Sequence, residues 1–379
     1  MRKCIVCNTE LTNQDRLMTC KNMPASAQNI PALEELDNEM GVNLCLYQCP
    51  CCSLIQFDCE PVSYYRDVIR AGGYTKTMAE LRHSQYHNFI RKCNLEGKKI
   101  IEVGCGQGEF LEMLGEFPVC GFGIEHKADL VKKAQDKGLN VWEAFAEDEE
   151  TVIDNGPFDA FLSFNFLEHQ PDPNGMLQCI RRNLTDDGVG LITVPNFDYI
   201  LANDAFYELL RDHIANYTLE SLSFLLMKNG FSIIETSIVN KDTISVIVRK
   251  RTKTDVSGLK DNFNKLYLEI NQFVDARISK GKKIAVWGAS RQGFTTLSTM
   301  GIADKISYII DSAPFKQGKY SPASHIKIVS PDHYYSDPVD CIIIIAPGYT
   351  DEIKNVIRDR YADAVEIAAI RGADIGLVD

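Results

Sequence analysis

An apolar, β-prone run from Ile100 to Val103 stops at three alternating glycines, Gly104, Gly106 and Gly108. An amphipathic pattern follows at once, with Phe110, Leu111, Met113 and Leu114 on one helical face. No other stretch constrains the fold so strongly. Strand, glycine turn and helix, in that order, is how an α/β sheet presents backbone N–H groups to a ligand at a helix N-terminus. Spacing narrows the ligand. A dinucleotide turn usually reads G-x-G-x-x-G, the third glycine allowing close helix packing. This one reads Glu102-Val-Gly-Cys-Gly-Gln-Gly108, with an acid two residues ahead of the first glycine.

The rhythm continues downstream. Val119 to Glu125 reads as a second strand ending in an acid, about twenty residues past the glycines, where a carboxylate can accept both hydroxyls of a ribose. Leu139–Glu147 reads as a third strand, ending at Ala146 and Glu147. Phe158–Phe164 is a buried fourth, followed by Asn165-Phe-Leu-Glu-His169, and a helix from Pro173 to Leu184 leads to a fifth strand over Asp186–Pro195. Strands alternating with amphipathic helices at this interval predict a doubly wound parallel sheet. Thr218 predicts an N-cap for a helix ending at Asn229-Gly230, and Phe231–Val239 and Thr243–Val248 predict closing antiparallel strands. This succession resembles class I S-adenosylmethionine (SAM) methyltransferases. The resemblance implies that Glu102 lies near the methionine end of SAM and that Gly104, Gly106 and Gly108 make room for it. Glu125 then takes the ribose, Ala146 and Glu147 lie near the adenine, and Asn165 stands at the lip of the site.

Upstream, eight of the thirteen cysteines fall within the first 59 residues. Cys4-Ile-Val-Cys7 and Cys49-Pro-Cys-Cys52 form two C-x-x-C knuckles, which predict four thiolates arrayed around a structural Zn²⁺. Four thiolates leave no open position for catalysis. The forty residues between the knuckles are expected to loop out, with Cys20, Cys45, Cys51 and Cys59 as spares or substitutes. Tyr74, in Gly72-Gly73-Tyr74-Thr75, either lines a pocket as a catalytic candidate or packs at a surface. His83 and His87 share a helix face as ordinary polar residues. The 40 Lys+Arg against 52 Asp+Glu give a net charge of −12, which argues against nucleic acid as the main partner. The first residues hold no apolar signal core and no apolar run approaches a membrane span. Many cysteines without a secretory signal fit a reducing compartment, so a cytoplasmic location is expected.

After a polar linker over residues 249–258 and a helix to about Ser279, a second α/β unit begins. Lys282–Gly288 predicts a strand, residues 289–293 a turn, Phe294–Met300 a helix, and Ile306–Asp311 and Cys341–Ala346 further strands. It lacks G-x-G-x-x-G, so no complete NAD site is expected, although Asp311 occupies a plausible ribose position. Ser290 and Arg291 in the turn, with Lys316 and Lys319 in the loop at residues 314–322, offer N–H groups and cations to a diphosphate.

Taken together, the two knuckles with Ser53-Leu-Ile-Gln56, the Glu102–Gly108 and Asn165–His169 segments, and Gly288–Gly293 with Lys316–Pro322 resemble the sugar-nucleotide C-methyltransferases of deoxysugar biosynthesis. That resemblance implies a zinc domain over residues 1–80, a SAM domain over 81–250 and a Rossmann-like domain over 251–379. It also implies a nucleotide-linked keto-sugar as substrate, held by the last domain and methylated at the carbon beside its ketone. The family's catalytic segment often reads Tyr-His-Glu-His, where this chain has Leu210-Arg-Asp-His213. His213 is therefore the expected general base, with Asp212 orienting a loop or binding a sugar hydroxyl. O- or N-methylation of a related metabolite is the alternative chemistry, and a non-catalytic scaffold that keeps the fold is the alternative class.

Overall fold

The computed structural model describes residues 2–67, 75–148 and 150–378. Its chain divides into two units, Met1–Thr252 and Lys253–Asp379. In the first, each cysteine knuckle is a tight turn. The N–H of Asn8 donates to the Cys4 carbonyl at 2.9 Å and that of Ser53 to the Cys49 carbonyl at 3.0 Å. Asn8 and Ser53 close the turns in the left-handed region, at φ 61° and 58°. The residues between the knuckles are not simply looped out. They carry two antiparallel strands, β1 (Arg16–Met23) and β2 (Val42–Gln48), and β2 pairs in turn with β3 (Ile55–Phe57).

Thr75 caps helix α1 (Lys76–Cys93) by accepting the N–H of Met78. The central elements then run β4 (Lys99–Val103), α2 (Glu109–Leu114), β5 (Cys120–Glu125), α3 (Ala128–Asp136), β6 (Val141–Glu143) and β7 (Phe158–Phe164). They continue through α4 (Pro173–Arg182), β8 (Leu184–Pro195), α5 (Phe197–Ala202), β9 (Ala215–Asn216), α6 (Leu219–Lys228), β10 (Phe231–Val239) and β11 (Thr243–Lys250). Seven of these strands form one sheet in the order β10-β11-β8-β7-β4-β5-β6, in which β11 alone runs antiparallel to the others and pairs on both sides, with β8 and with β10. From β4 the chain winds one way to β5 and β6, then back to β7 and β8. The β4/β7 boundary is thus the topological switch point, and its carboxyl edge is where such sheets bind ligands. This is the doubly wound sheet with a closing antiparallel pair that the strand rhythm predicts.

Strand β9 leaves this sheet and pairs with β3, giving an N-terminal sheet in the order β1-β2-β3-β9. The cores merge as well. Cys4, Val6, Cys49, Cys52 and Leu54 pack in the same buried cluster as Leu167, Met176, Tyr217, Leu222 and Phe231. Asn174 and Lys228 donate to the Val6 carbonyl, fastening the first knuckle to α4 and α6. A separate zinc domain ending at residue 80 is the expectation; in the structure the described residues of that range share one unit with the large sheet, because β9, which follows β8 in the chain, completes the N-terminal sheet and the buried core is common to both.

The second unit follows the order α7 (Ser257–Ile278), β12 (Ile284–Trp287), α8 (Arg291–Thr299), β13 (Ile309–Ile310), β14 (Ile328–Val329), β15 (Cys341–Ile344), α9 (Thr350–Tyr361), β16 (Glu366–Arg371) and β17 (Asp374–Leu377). Its sheet runs β14-β13-β12-β15-β16-β17, parallel except for β17. Helix α8 begins three residues earlier than the apolar pattern suggests, because the Ser290 hydroxyl accepts the N–H of Gly293 and caps it. Among the described residues, no helix is long and apolar enough to cross a membrane.

Candidate functional site

The glycine turn ends β4 at the switch point. Gly104, Gly106 and Gly108 have φ of 74°, 60° and 83°, where an L side chain is strained. A Cβ at Gly108 would come within 2.4 Å of Leu139, so this glycine permits helix α2 to close on the chain below. At Gly106 a Cβ would meet nothing nearer than Glu109 at 3.8 Å, so the turn is open on that side. Glu125 at the end of β5 accepts the Gly106 N–H at 2.9 Å and the Lys127 N–H at 3.1 Å. A carboxylate has about four lone-pair sites, so two remain for ligand hydroxyls. Glu102 is fully buried in β4, Ala146 is buried, and Glu147 is exposed and ion-paired with Arg66. Phe145 packs edge-on against Tyr65, His126 and Phe166, a ring cluster that sequence reasoning missed. These residues fit SAM: an open N–H turn, an acid with spare acceptor positions, and aromatic surface at the ends of β5 to β7.

Across β7 and β8 lies a pocket of about 150 Å³, lined in part by Asn165, Asn196, His213 and Asn216. Asn165 sits at φ 48° and its side chain accepts the Thr193 hydroxyl at 2.9 Å. His213 packs edge-on against His169, with ring centroids 4.7 Å apart. The Asp212 carbonyl can only accept, so the His169 Nδ1 at 2.8 Å carries the proton and leaves Nε2 with its lone pair. Burial pushes His213 down to about 3, and the neighbouring His169 adds to the shift; burial also lowers His169. Burial raises Glu168 to about 8. At neutral pH the three groups are therefore mostly uncharged. Glu168, His169 and His213 bring one ligand atom each within 4.8 Å of the others, a donor set that could also hold a cation. Glu168 and His169 escape sequence reasoning as site residues because their character comes from burial.

Of its two expected roles, Asp212 is placed for the loop-orienting one. Its Oδ1 accepts the Ala27 N–H at 2.9 Å and its Oδ2 accepts the Tyr64 hydroxyl at 2.5 Å. With both oxygens engaged, Asp212 pins the segment between β1 and β2 beside the pocket. Arg211 does the same by donating to the Ala25 and Glu60 carbonyls. Tyr74 lies outside the described residues.

The four knuckle cysteines converge. Cys4 and Cys52 sulfurs are 3.5 Å apart, Cys7 and Cys49 sulfurs 3.4 Å, and all four lie within 4.8 Å of one another. A tetrahedral Zn²⁺ with Zn–S bonds of about 2.3 Å would set its sulfurs about 3.8 Å apart, so the donor set and spacing fit a metal. Cys20, Cys45, Cys51 and Cys59 are not in the cluster.

In the second unit, Asp311 draws the turn and loop together. Its carboxylate accepts the Ala289 N–H at 3.0 Å, the Ala313 N–H at 2.9 Å and the Lys316 ammonium at 2.9 Å. Arg291 and Lys319 are exposed on the first turn of α8 and on the loop. Ser290 is committed to its cap.

Residues 75–236 match a methyltransferase domain family, and residues 250–367 match the C-methyltransferase C-terminal domain family. The chain is 24% identical over 287 residues to the C-methyltransferase NovU of Streptomyces niveus, covering 68% of each protein. It is 29% identical over 111 residues to the ubiquinone biosynthesis O-methyltransferase of Glaesserella parasuis, covering 27% of this chain and 47% of that one. Among solved structures, the magnesium protoporphyrin IX methyltransferase of Synechocystis with bound SAH matches 47% of this chain and 89% of its own, at 15% identity and TM-score 0.38.

Proposed function

We propose that this SAM-dependent methyltransferase, which resembles a C-methyltransferase in its C-terminal unit and over two thirds of its length, acts on a nucleotide-linked keto-sugar and methylates it through an enolate at the carbon beside the ketone. The observation that carries the reading is a neutral histidine at the wall of the pocket at the carboxyl ends of β7 and β8. A C–H beside a ketone is weakly acidic, so a base must take the proton before carbon can attack. SAM, bound at the glycine turn, supplies an electrophilic methyl group on a sulfonium sulfur. Glu125 orients the ribose with its spare acceptor positions. His213 takes the proton from carbon. Its buried imidazole resists protonation, and the enolate formed beside it is the counter-charge that makes the imidazolium tenable.

The second unit holds the nucleotide, with the first turn of α8, Arg291 and Lys319 facing the diphosphate and Lys316 shared with Asp311. A structural Zn²⁺ on Cys4, Cys7, Cys49 and Cys52 holds the knuckles together. The test supplies SAM labelled in its methyl carbon together with a thymidine-diphosphate-linked keto-deoxyhexose uniformly labelled in carbon. A carbon–carbon coupling at the new methyl supports the reading. A methyl on oxygen or nitrogen refutes it.

A further inference from the structure

The pocket wall carries a hydrogen-bond donor that the fold leaves unspent. Asn216 is 6% exposed, and its Nδ2 is buried with no acceptor among the described residues. Its backbone is held firmly: Asn216 pairs with Ile55 across β9 and β3, and Tyr217 bridges to Asn196 at the end of β8. Several polar groups in and around the pocket are already engaged. The Asn196 side chain accepts the Asp198 N–H to cap α5, the Thr193 hydroxyl donates to Asn165, and the Thr243 hydroxyl donates to Asp242. Glu208 and Asp242, which also line the pocket, offer acceptors suited to sugar hydroxyls. A buried donor without a partner costs about 1–3 kcal/mol, and such a group in a folded protein calls for an explanation. His213 lines the same pocket, three residues earlier.

We propose that Asn216 donates its Nδ2–H to the ketone oxygen of the substrate and stabilises the enolate that His213 generates. This deepens the keto-sugar reading and rests on it. As His213 takes the proton, the C–H electron pair becomes the carbon–carbon π bond and the carbonyl π pair moves to oxygen, where Asn216 meets it. When carbon then bonds to the methyl group, the carbonyl re-forms and the methyl–sulfur pair leaves with sulfur. The proton on His213 is released to solvent.

The test compares N216A and N216D with wild type. The aspartate has nearly the same shape but replaces the donor with an acceptor, so it serves if the alanine variant folds poorly. Two rates are measured with the thymidine-diphosphate-linked keto-deoxyhexose: methylation with SAM, and deuterium uptake beside the ketone with S-adenosylhomocysteine (SAH). Loss of one preorganised donor should lower kcat and deuterium uptake by about 10²–10³. KM should stay within about threefold, since the interaction belongs to the transition state. SAH affinity of N216D should match wild type, with its fold checked by circular dichroism, since a buried carboxylate lowers the melting temperature by itself. Wild-type deuterium uptake in N216D, or a raised KM with kcat unchanged, overturns the proposal. If wild type itself neither exchanges nor C-methylates the probe, the keto-sugar reading fails and takes this inference with it.

Discussion

Two glycine turns, one in each unit, are built on the same plan and do different work. Each follows a parallel strand, opens a helix, and has a backbone N–H held by an acid at the end of the next strand. Glu125 takes the Gly106 N–H at 2.9 Å; Asp311 takes the Ala289 N–H at 3.0 Å. The difference lies in what remains. Glu125 receives two backbone N–H groups, and its turn has a left-handed glycine open on one side. Asp311 receives two N–H groups and the Lys316 ammonium. Its turn is sealed by contact: a Cβ at Gly293 would lie 2.1 Å from the Gly288 carbonyl oxygen. A strand–turn–helix signature therefore does not by itself specify a cofactor; the acceptor positions and space left at the turn decide. The first turn suits a ribose, whereas the second has spent its acid on tying a loop.

The units should also differ in what holds them, and the largest expected effect tests that. Zinc–thiolate binding supplies on the order of 10 kcal/mol to a small domain. Chelation or Cys7→Ser should raise amide exchange in the knuckles, in β3 and in its partner β9, leaving β12 to β16 protected. Exchange mass spectrometry showing both units loosened equally, or neither, would break the contrast.

His213→Asn should lower kcat by about 10²–10⁴ while SAH affinity persists, because the base acts in the first unit after the cofactor is bound. The pH profile sharpens this. His213 lies at about 3 instead of the ordinary 6.5, so kcat/KM should show no acid limb near 6.5. Glu168, raised to about 8, should cut activity as pH rises through that value, by placing a carboxylate near the developing enolate. Stability follows the same signs. Below 6.5 the unfolded chain binds the His213 proton that the folded chain refuses, so stability falls toward pH 3. Between 4.5 and 8 the folded chain keeps the Glu168 proton that the unfolded chain loses, so that contribution disappears as pH climbs through 8. A limb at the ordinary histidine value would contradict the buried, neutral site.

The two acids can be set directly against each other. Glu125→Ala should weaken SAM binding by roughly 1.5–3 kcal/mol, the value of a charge-assisted hydrogen bond. Asp311→Ala should leave SAM binding unchanged in calorimetry and lower the melting temperature of the second unit, since the Ala289 N–H loses its acceptor. Equal effects on SAM would erase the distinction between the turns. The smallest effect belongs to Arg291→Ala. An exposed cation on the diphosphate is worth roughly 0.5–1 kcal/mol, so KM for the nucleotide sugar should rise a fewfold with kcat unchanged. A fall in kcat without a change in KM would remove Arg291 from the binding role.

Much of the scaffold was legible because it rests on local signals. Phe158–Phe164 is an apolar run broken only by Asp159 and Ser163, Thr218 is a capping residue before an apolar face, and the glycines mark the turn; each element lies where those signals put it. Helix α8 was read short because apolar spacing outweighed Ser290, although a serine three residues before Gly293 is itself a start signal. What sequence could not show depends on distant partners. The pairing of β9 with β3 joins two residues to a strand about 160 positions away. Sequence left Asp212 to orient a loop or to bind a sugar hydroxyl, and only the distant Ala27 N–H and Tyr64 hydroxyl, which take its oxygens, decide for the loop. Glu168 was visible in Asn165–His169, but only burial makes it an acid that keeps its proton near neutral pH.

In the proposed reaction His213 removes a proton from carbon before any methyl is transferred. The most direct measurement holds the enzyme with SAH, so transfer is blocked, and follows a thymidine-diphosphate-linked keto-deoxyhexose in deuterium oxide by NMR. Wild type should replace the hydrogen beside the ketone with deuterium, and His213→Asn, folded and SAH-bound, should do so about 10²–10⁴ more slowly. Exchange at the wild-type rate in His213→Asn would contradict the account.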